Sequence, residues 1–102
     1  VYQRSVFPYQ WATIQYNLGN VYCDRIFGEK AENIEIAILS YNAALEVYQM
    51  DLVPQQWAMT QYNLGNAYKQ RIRGDKSENL EKSQEFYLAA MEVYKRYRNP
   101  EE

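Results

Sequence analysis

Gln15-Tyr16-Asn17-Leu18-Gly19-Asn20 returns unchanged as Gln61-Tyr62-Asn63-Leu64-Gly65-Asn66, 46 residues further along the chain. Working outward from this hexapeptide, the same shift lays Pro8 on Pro54, Trp11-Ala12 on Trp57-Ala58, Arg25-Ile26 on Arg71-Ile72, Gly28 on Gly74 and Asn33 on Asn79. The end of the unit, Glu46-Val47-Tyr48, comes back as Glu92-Val93-Tyr94. With no gap, 24 of 46 positions are identical, and self-similarity at a fixed period of this length marks a repeat architecture. Residues 8–53 therefore read as one unit and 54–99 as a second, within a single segment covering 1–102. Val1-Tyr2-Gln3 repeats Val47-Tyr48-Gln49, and Pro100 falls one period after Pro54. Residues 1–7 thus read as the remnant of a preceding helix and unit, and 100–102 as the start of a following unit. A longer parent array is the expectation.

Each unit reads as a pair of helices. Trp11, Ile14, Leu18, Tyr22 and Ile26 recur every three or four residues, the spacing of one apolar stripe on a helix. Pro8 suits the first helical position, where its missing N–H costs nothing, and Gly28 and Gly74 suit the helix end because glycine accepts the left-handed closing conformation. Ile34, Ala37 or Ile38, Tyr41, Leu45 and Tyr48 mark the second helix, with Asn33 and Asn79 expected as its N-caps. No stretch alternates with period two. The expectation is an all-α fold with helices near 9–27, 33–50, 55–73 and 79–97. Gly19 and Gly65 fall mid-helix, where glycine costs about 1 kcal/mol relative to alanine; a close approach of the second helix at Ala44 or Ala90 is the expected reason.

At Asn17-Leu18-Gly19-Asn20-Val21-Tyr22 and at Ala37, Tyr41 and Ala44-Leu45, the unit resembles a tetratricopeptide repeat: Leu-Gly, then Tyr three residues later, then Ala, an aromatic and Ala on the second helix. Leu64-Gly65, Tyr68, Tyr87 and Ala90-Met91 carry the same features in the second unit. The unit departs from the pattern in its period, 46 rather than about 34, in having Gln15 or Gln61 at the usual early Trp, and in Ser83 at the opening of the last helix. It looks like the long, near-identical tetratricopeptide-type repeats of large bacterial arrays. The resemblance implies an α-solenoid of two stacked antiparallel hairpins, a right-handed superhelix whose first helices line a groove for an extended protein or peptide partner. Residues implied to face that groove are Thr13, Tyr16, Asn17, Asn20 and Asp24, then Met59, Tyr62, Asn63, Asn66 and Gln70. Asn20 and Asn66 match the family position whose amide contacts ligand backbone, since an amide donates and accepts at once. The alternative, which is favoured, is that they bond to neighbouring helices within the array. The Lys and Arg of a carboxylate clamp are absent from the matched positions.

Composition narrows the function from the other side. The chain has 102 residues, 47% hydrophobic and 16% aromatic, with a net charge of −2, the profile of a small globular domain. There is no histidine and a single cysteine, Cys23, so no Ser–His or Cys–His pair, no His-bearing zinc site and no internal disulfide can form. No metal loop or phosphate-binding glycine motif occurs. No catalysis, cofactor or metal is expected, and Cys23 reads as an ordinary thiol in a reducing, cytoplasmic setting. No apolar stretch approaches the roughly 18–20 residues that span a bilayer, so no membrane association is expected.

Charge divides unevenly. Residues 8–53 carry two basic and six acidic groups, residues 54–99 eight basic and five acidic; the interspersed carboxylates argue against nucleic acid. Arg25 with Glu32, and Arg71 with Glu78, could tie each connection or bind a partner. The expected function is a non-catalytic interaction scaffold. A structural spacer or self-associating array is the alternative, and the uneven charge favours head-to-tail joining.

Overall fold

A computed structural model describes residues 3–25 and 27–98, with the side chain of residue 98 set aside. Four helices follow one another: α1 (Pro8–Asp24), α2 (Lys30–Leu45), α3 (Pro54–Gln70) and α4 (Lys76–Arg98). Helix accounts for 77% of the described residues and strand for none. None of these helices is long and apolar enough to cross a membrane. The described residues do not reach the expected following unit at 100–102, nor Ile26 of the α1 stripe.

All four helices begin earlier than the apolar periodicity suggests, and the first three also end earlier. Pro8 and Pro54 stand in the first turn of α1 and α3, as their fixed φ requires. The chain leaves α1 at Arg25 and α3 at Arg71, both extended, and turns through Gly28 and Gly74, each at φ +81°. The glycines therefore make the left-handed turn four residues beyond the last helical residue rather than closing the helices. Asn33 and Asn79 are not N-caps, since α2 and α4 have already begun. Both are buried inside the first turns, where their amides donate to the loop carbonyls of Phe27 (2.8 Å) and Arg73 (2.9 Å). The cap of α4 is Asp75, whose carboxylate accepts from the Glu78 N–H at 3.0 Å.

α2 stops at Leu45, short of Tyr48, and the chain turns before Pro54 opens α3. Gln49–Val53 closes that turn with Leu52 and Val53 N–H bonds to the Gln49 carbonyl, 3.1 and 2.9 Å. Gln3–Phe7 makes the same turn, with Val6 and Phe7 bonded to the Gln3 carbonyl at 3.2 and 2.8 Å. Gln3–Phe7 is thus a turn, while residues 1 and 2 of the expected remnant lie outside the described residues.

Within the first pair the bonds Thr13–Tyr48, Asn20–Tyr41 and Cys23–Lys30 step down α2 as they step up α1, so the helices are antiparallel. The close approach at the mid-helix glycines is real, but the facing residue is an aromatic ring. A Cβ at Gly19 would lie 2.5 Å from Tyr41, and one at Gly65 would lie 2.6 Å from Tyr87 and 3.2 Å from the Ser83 carbonyl. Ala44 and Ala90 pack one turn further along, beside Ala12 and Ala58.

α2 and α3 join the two pairs through the largest core, in which Ile34, Ile38 and Tyr41 of the first meet Leu64, Ala67 and Tyr68 of the second. α1 reaches it through Cys23, with Tyr16 and Tyr22 packed against it, but not through the middle of its apolar stripe. Ile14 and Leu18 are 40% and 39% exposed, and α1 buries Ala12, Gly19 and Cys23 instead. Their counterparts Thr60 and Leu64 are fully buried because α3 has α2 against that face, whereas no other described helix covers that face of α1.

Candidate functional site

The residues expected in a groove gather in two clefts along the line where α1 faces α3. The first, about 400 Å³, holds Thr13, Tyr16 and Asn17 from α1 and Met59 from α3. Tyr9, Tyr48, Val53, Gln55 and Gln56 complete its walls. These five escaped sequence reasoning: Tyr48 sits at α2-stripe spacing and Val53 in a connection. Tyr9 and Gln55 had a readable signal, since each lies one helical turn before an expected groove residue, Thr13 or Met59.

Hydrogen bonding fixes the far wall of this cleft. Thr13 Oγ1 donates to the Tyr9 carbonyl at 2.9 Å, which commits its one proton. The 2.6 Å contact with Tyr48 is therefore donated by the Tyr48 hydroxyl. The amides of Asn17, Gln55 and Gln56 make no hydrogen bond to any described residue. They offer paired donors and acceptors beside the apolar surface of Tyr9, Val53 and Met59. Chemically, the cleft can accept a chain that has both free backbone groups and an apolar side chain.

The second cleft, about 250 Å³, is lined by Asn20, Cys23, Asp24, Tyr41, Asn63, Asn66 and Gln70. Apart from the Asp24 carboxylate, its polar side chains are engaged with neighbouring helices. Asn20 Oδ1 accepts from Tyr41 Oη at 2.6 Å and from Asn63 Nδ2 at 3.0 Å, and Asn63 also donates to Tyr16 Oη at 2.8 Å. Asn66 Oδ1 accepts from Tyr87 Oη. Gln70 accepts from Lys30 Nζ at 2.9 Å and donates toward Cys23 Sγ at 3.6 Å. Of the two roles open to Asn20 and Asn66, the structure places both in bonds between helices. Tyr62 stands apart, 46% exposed with its ring 5.3 Å from that of Tyr87.

Electrostatics keep this cleft neutral at its base. Burial pushes the Tyr41 hydroxyl well above its ordinary range, which holds it as a donor to Asn20. Burial, aided by Asp24, also raises the Cys23 thiol, so thiolate chemistry is suppressed. Among the described residues no group of His, Cys, Asp and Glu is placed to hold a metal ion.

Arg71 does not pair with Glu78 as its sequence neighbourhood suggests. It reaches back across the junction and grips Glu35 of α2 with two bonds of 2.8 Å, while Nη1 reaches Asn79 Oδ1 at 3.3 Å. Arg25 stacks over Tyr22 at 5.3 Å, as Arg71 does over Tyr68 at 5.5 Å, but Arg25 is exposed.

Protein-family models, curated proteins and solved structures were all compared with the chain, and none matches it.

Proposed function

We propose that the chain is a non-catalytic interaction scaffold, a tetratricopeptide-like solenoid of two stacked hairpins with a right-handed twist, that holds an extended peptide segment of a protein partner. The reading is carried by one observation: in the cleft between α1 and α3, the amides of Asn17, Gln55 and Gln56 lie without partners among the described residues, beside apolar surface from Tyr9, Val53 and Met59. An extended peptide needs that combination, because its backbone donors and acceptors must be met while its side chains are buried. The 46-residue register and the Leu-Gly…Tyr pattern support the solenoid geometry. The free thiol of Cys23, buried in the core, supports a reducing, cytoplasmic setting.

A spacer with no ligand is the second reading. It is favoured by the second cleft, where Asn20, Asn63, Asn66 and Gln70 spend their amides on neighbouring helices. Panning a random-peptide display library against the purified chain separates the two. On the scaffold reading, enriched peptides bind the wild-type chain and lose at least most of that binding to Asn17→Ala and to Met59→Ala, both exposed positions whose truncation leaves the fold intact. No enrichment, or peptides indifferent to both substitutions, would leave the spacer reading standing.

A further inference from the structure

The junction between α2 and α3 is a set of paired groups, and a shift of 46 residues finds both halves of the set again, apart from each other, on the two outer faces of the molecule. Arg71 and Glu35 grip each other inside; their counterparts Arg25, on the outer side of α1, and Glu81, on the outer side of α4, are both exposed. Asn63 donates to Tyr16 and Asn20 inside; the counterparts are Asn17 on one face and Tyr62 with Asn66 on the other. We propose that these two faces bind each other, joining copies of this chain head to tail through the bond set that already joins α2 to α3.

The apolar part follows the same rule. Ile34, Leu64 and Ala67 are fully buried at the internal junction. Leu80, which corresponds to Ile34, is 42% exposed; Leu18 and Val21, which correspond to Leu64 and Ala67, are 39% and 60% exposed. Tyr41 is 1% exposed, whereas its counterpart Tyr87 is half-buried. Gln3–Phe7 of the incoming chain holds the turn that Gln49–Val53 makes at the internal junction, while the tail side differs in that α4 stays helical to Arg98 where α2 ends at Leu45.

The differences between the two junctions identify the partner as a second copy joined in one direction. Inside, Lys30 bonds the neutral Gln70, which reaches Cys23. Between copies the corresponding groups are Lys76, Asp24 and Lys69, so a neutral contact becomes a carboxylate between two cations. Opposite charges on opposite faces select head-to-tail joining over joining like faces. Gln84 stands where Ile38 is buried, which makes this junction weaker than the internal one, so association rises with concentration. A heterologous contact of this kind leaves a free face at each end and extends into a filament or ring.

Sedimentation of the wild-type chain from micromolar to millimolar concentration tests this, together with Val21→Glu on the head face and Leu80→Glu on the tail face. Both positions are exposed in the single chain, and circular dichroism checks that each variant folds. The expected result is a wild-type mass that climbs with concentration, either variant alone monomeric, and an equimolar mixture that forms a heterodimer and stops, because each variant retains the face the other lacks. Arg25→Ala and Glu81→Ala form a milder pair, each expected to weaken association without removing apolar surface. A wild-type chain monomeric throughout would overturn the proposal. So would association lost in only one variant, the outcome of a two-fold dimer through a single face, or variants that do not rejoin on mixing. None of these readouts involves a bound peptide, so the inference stands or falls apart from the groove.

Discussion

At the scale of single residues, the chain is governed by contacts that leave no room for one methyl group. Glycine to alanine in an open helix gains about 1 kcal/mol, but at Gly19 the new Cβ would lie 2.5 Å from a Tyr41 ring that is 1% exposed and hydrogen-bonded to Asn20. That ring cannot retreat. Gly19→Ala is therefore expected to lower stability by about 1–3 kcal/mol, the usual cost of overpacking. At Gly65 the ring is Tyr87, which is only half-buried and can swing toward solvent, leaving the 3.2 Å contact with the Ser83 carbonyl; Gly65→Ala should cost less than Gly19→Ala. Thermal denaturation decides this, and a melting temperature raised by Gly19→Ala would show that the helices are not so close. The need for close approach at these glycines is legible in the sequence, because a repeated mid-helix glycine demands a reason. The facing residue is not, because Tyr41 and Ala44 lie on neighbouring turns of one helix, and spacing does not fix how far α2 slides along α1. The same slide turns Asn66 from a surface residue into the acceptor for Tyr87, so Asn66 is worth a hydrogen bond to the fold.

At the scale of the elements, the decisive pair is Arg71 with Glu35, which ties the end of α3 to α2. Bonds to a charged partner contribute about 1.5–3 kcal/mol when buried; here the side chains are 25% and 22% exposed, which lowers the expectation for Arg71→Ala to about 1–2 kcal/mol. Arg25 has the same sequence surroundings and the same tyrosine beneath it, yet no carboxylate partner among the described residues, and Arg25→Ala should cost about 0.5 kcal/mol or less. Equal losses would show that the tyrosine, not Glu35, is the partner that matters. The pair also sets an acid limit. The bonds from Arg71 hold the Glu35 carboxyl below its ordinary value, which is about 4.3 in an unfolded chain. A depressed folded value means that the contribution is present above the unfolded value and is lost as pH falls through the folded one. Glu35→Gln should flatten that part of the melting-temperature profile in acid and leave its shape near neutrality unchanged. Helix identity and order follow from the 3.6-residue periodicity. Helix ends do not, because Asn33 and Asn79 can either cap a helix or tie a loop, and only the position of the Phe27 and Arg73 carbonyls decides. Arg71 was similarly ambiguous: Glu78 is nearer in sequence, but Glu35 is nearer in space.

At the scale of the whole molecule, the two units share one core rather than owning one each. Ile34, Ile38 and Tyr41 come from the first unit, Leu64, Ala67 and Tyr68 from the second, while the clusters private to each pair are small: Ala12, Ala44 and Tyr48 in one, Ala58, Ala90 and Val93 in the other. In a one-dimensional stack, stability is divided between each unit and its interface with the next. Because one buried cluster takes side chains from both units, unfolding either unit would strip cover from the core of the other. The chain should therefore unfold in a single cooperative step, and the sequence supplies a reporter for each half, because Trp11 packs in the first small cluster and Trp57 in the second. With Trp57→Phe the fluorescence follows the first unit, and with Trp11→Phe the second; both urea midpoints should coincide with that of the far-ultraviolet helix signal once each variant's own stability is allowed for. Leu64→Ala then tests the coupling. Leu64 belongs to the second unit but is buried against the first, so its loss should cost about 2–5 kcal/mol and move the Trp11 and Trp57 midpoints together. The corresponding Leu18→Ala removes a side chain already 39% exposed and should move both by much less. A Leu64→Ala shift seen only by Trp57, with the first unit still folded, would mean that the units are independent and that the shared core does not bind them into one cooperative body.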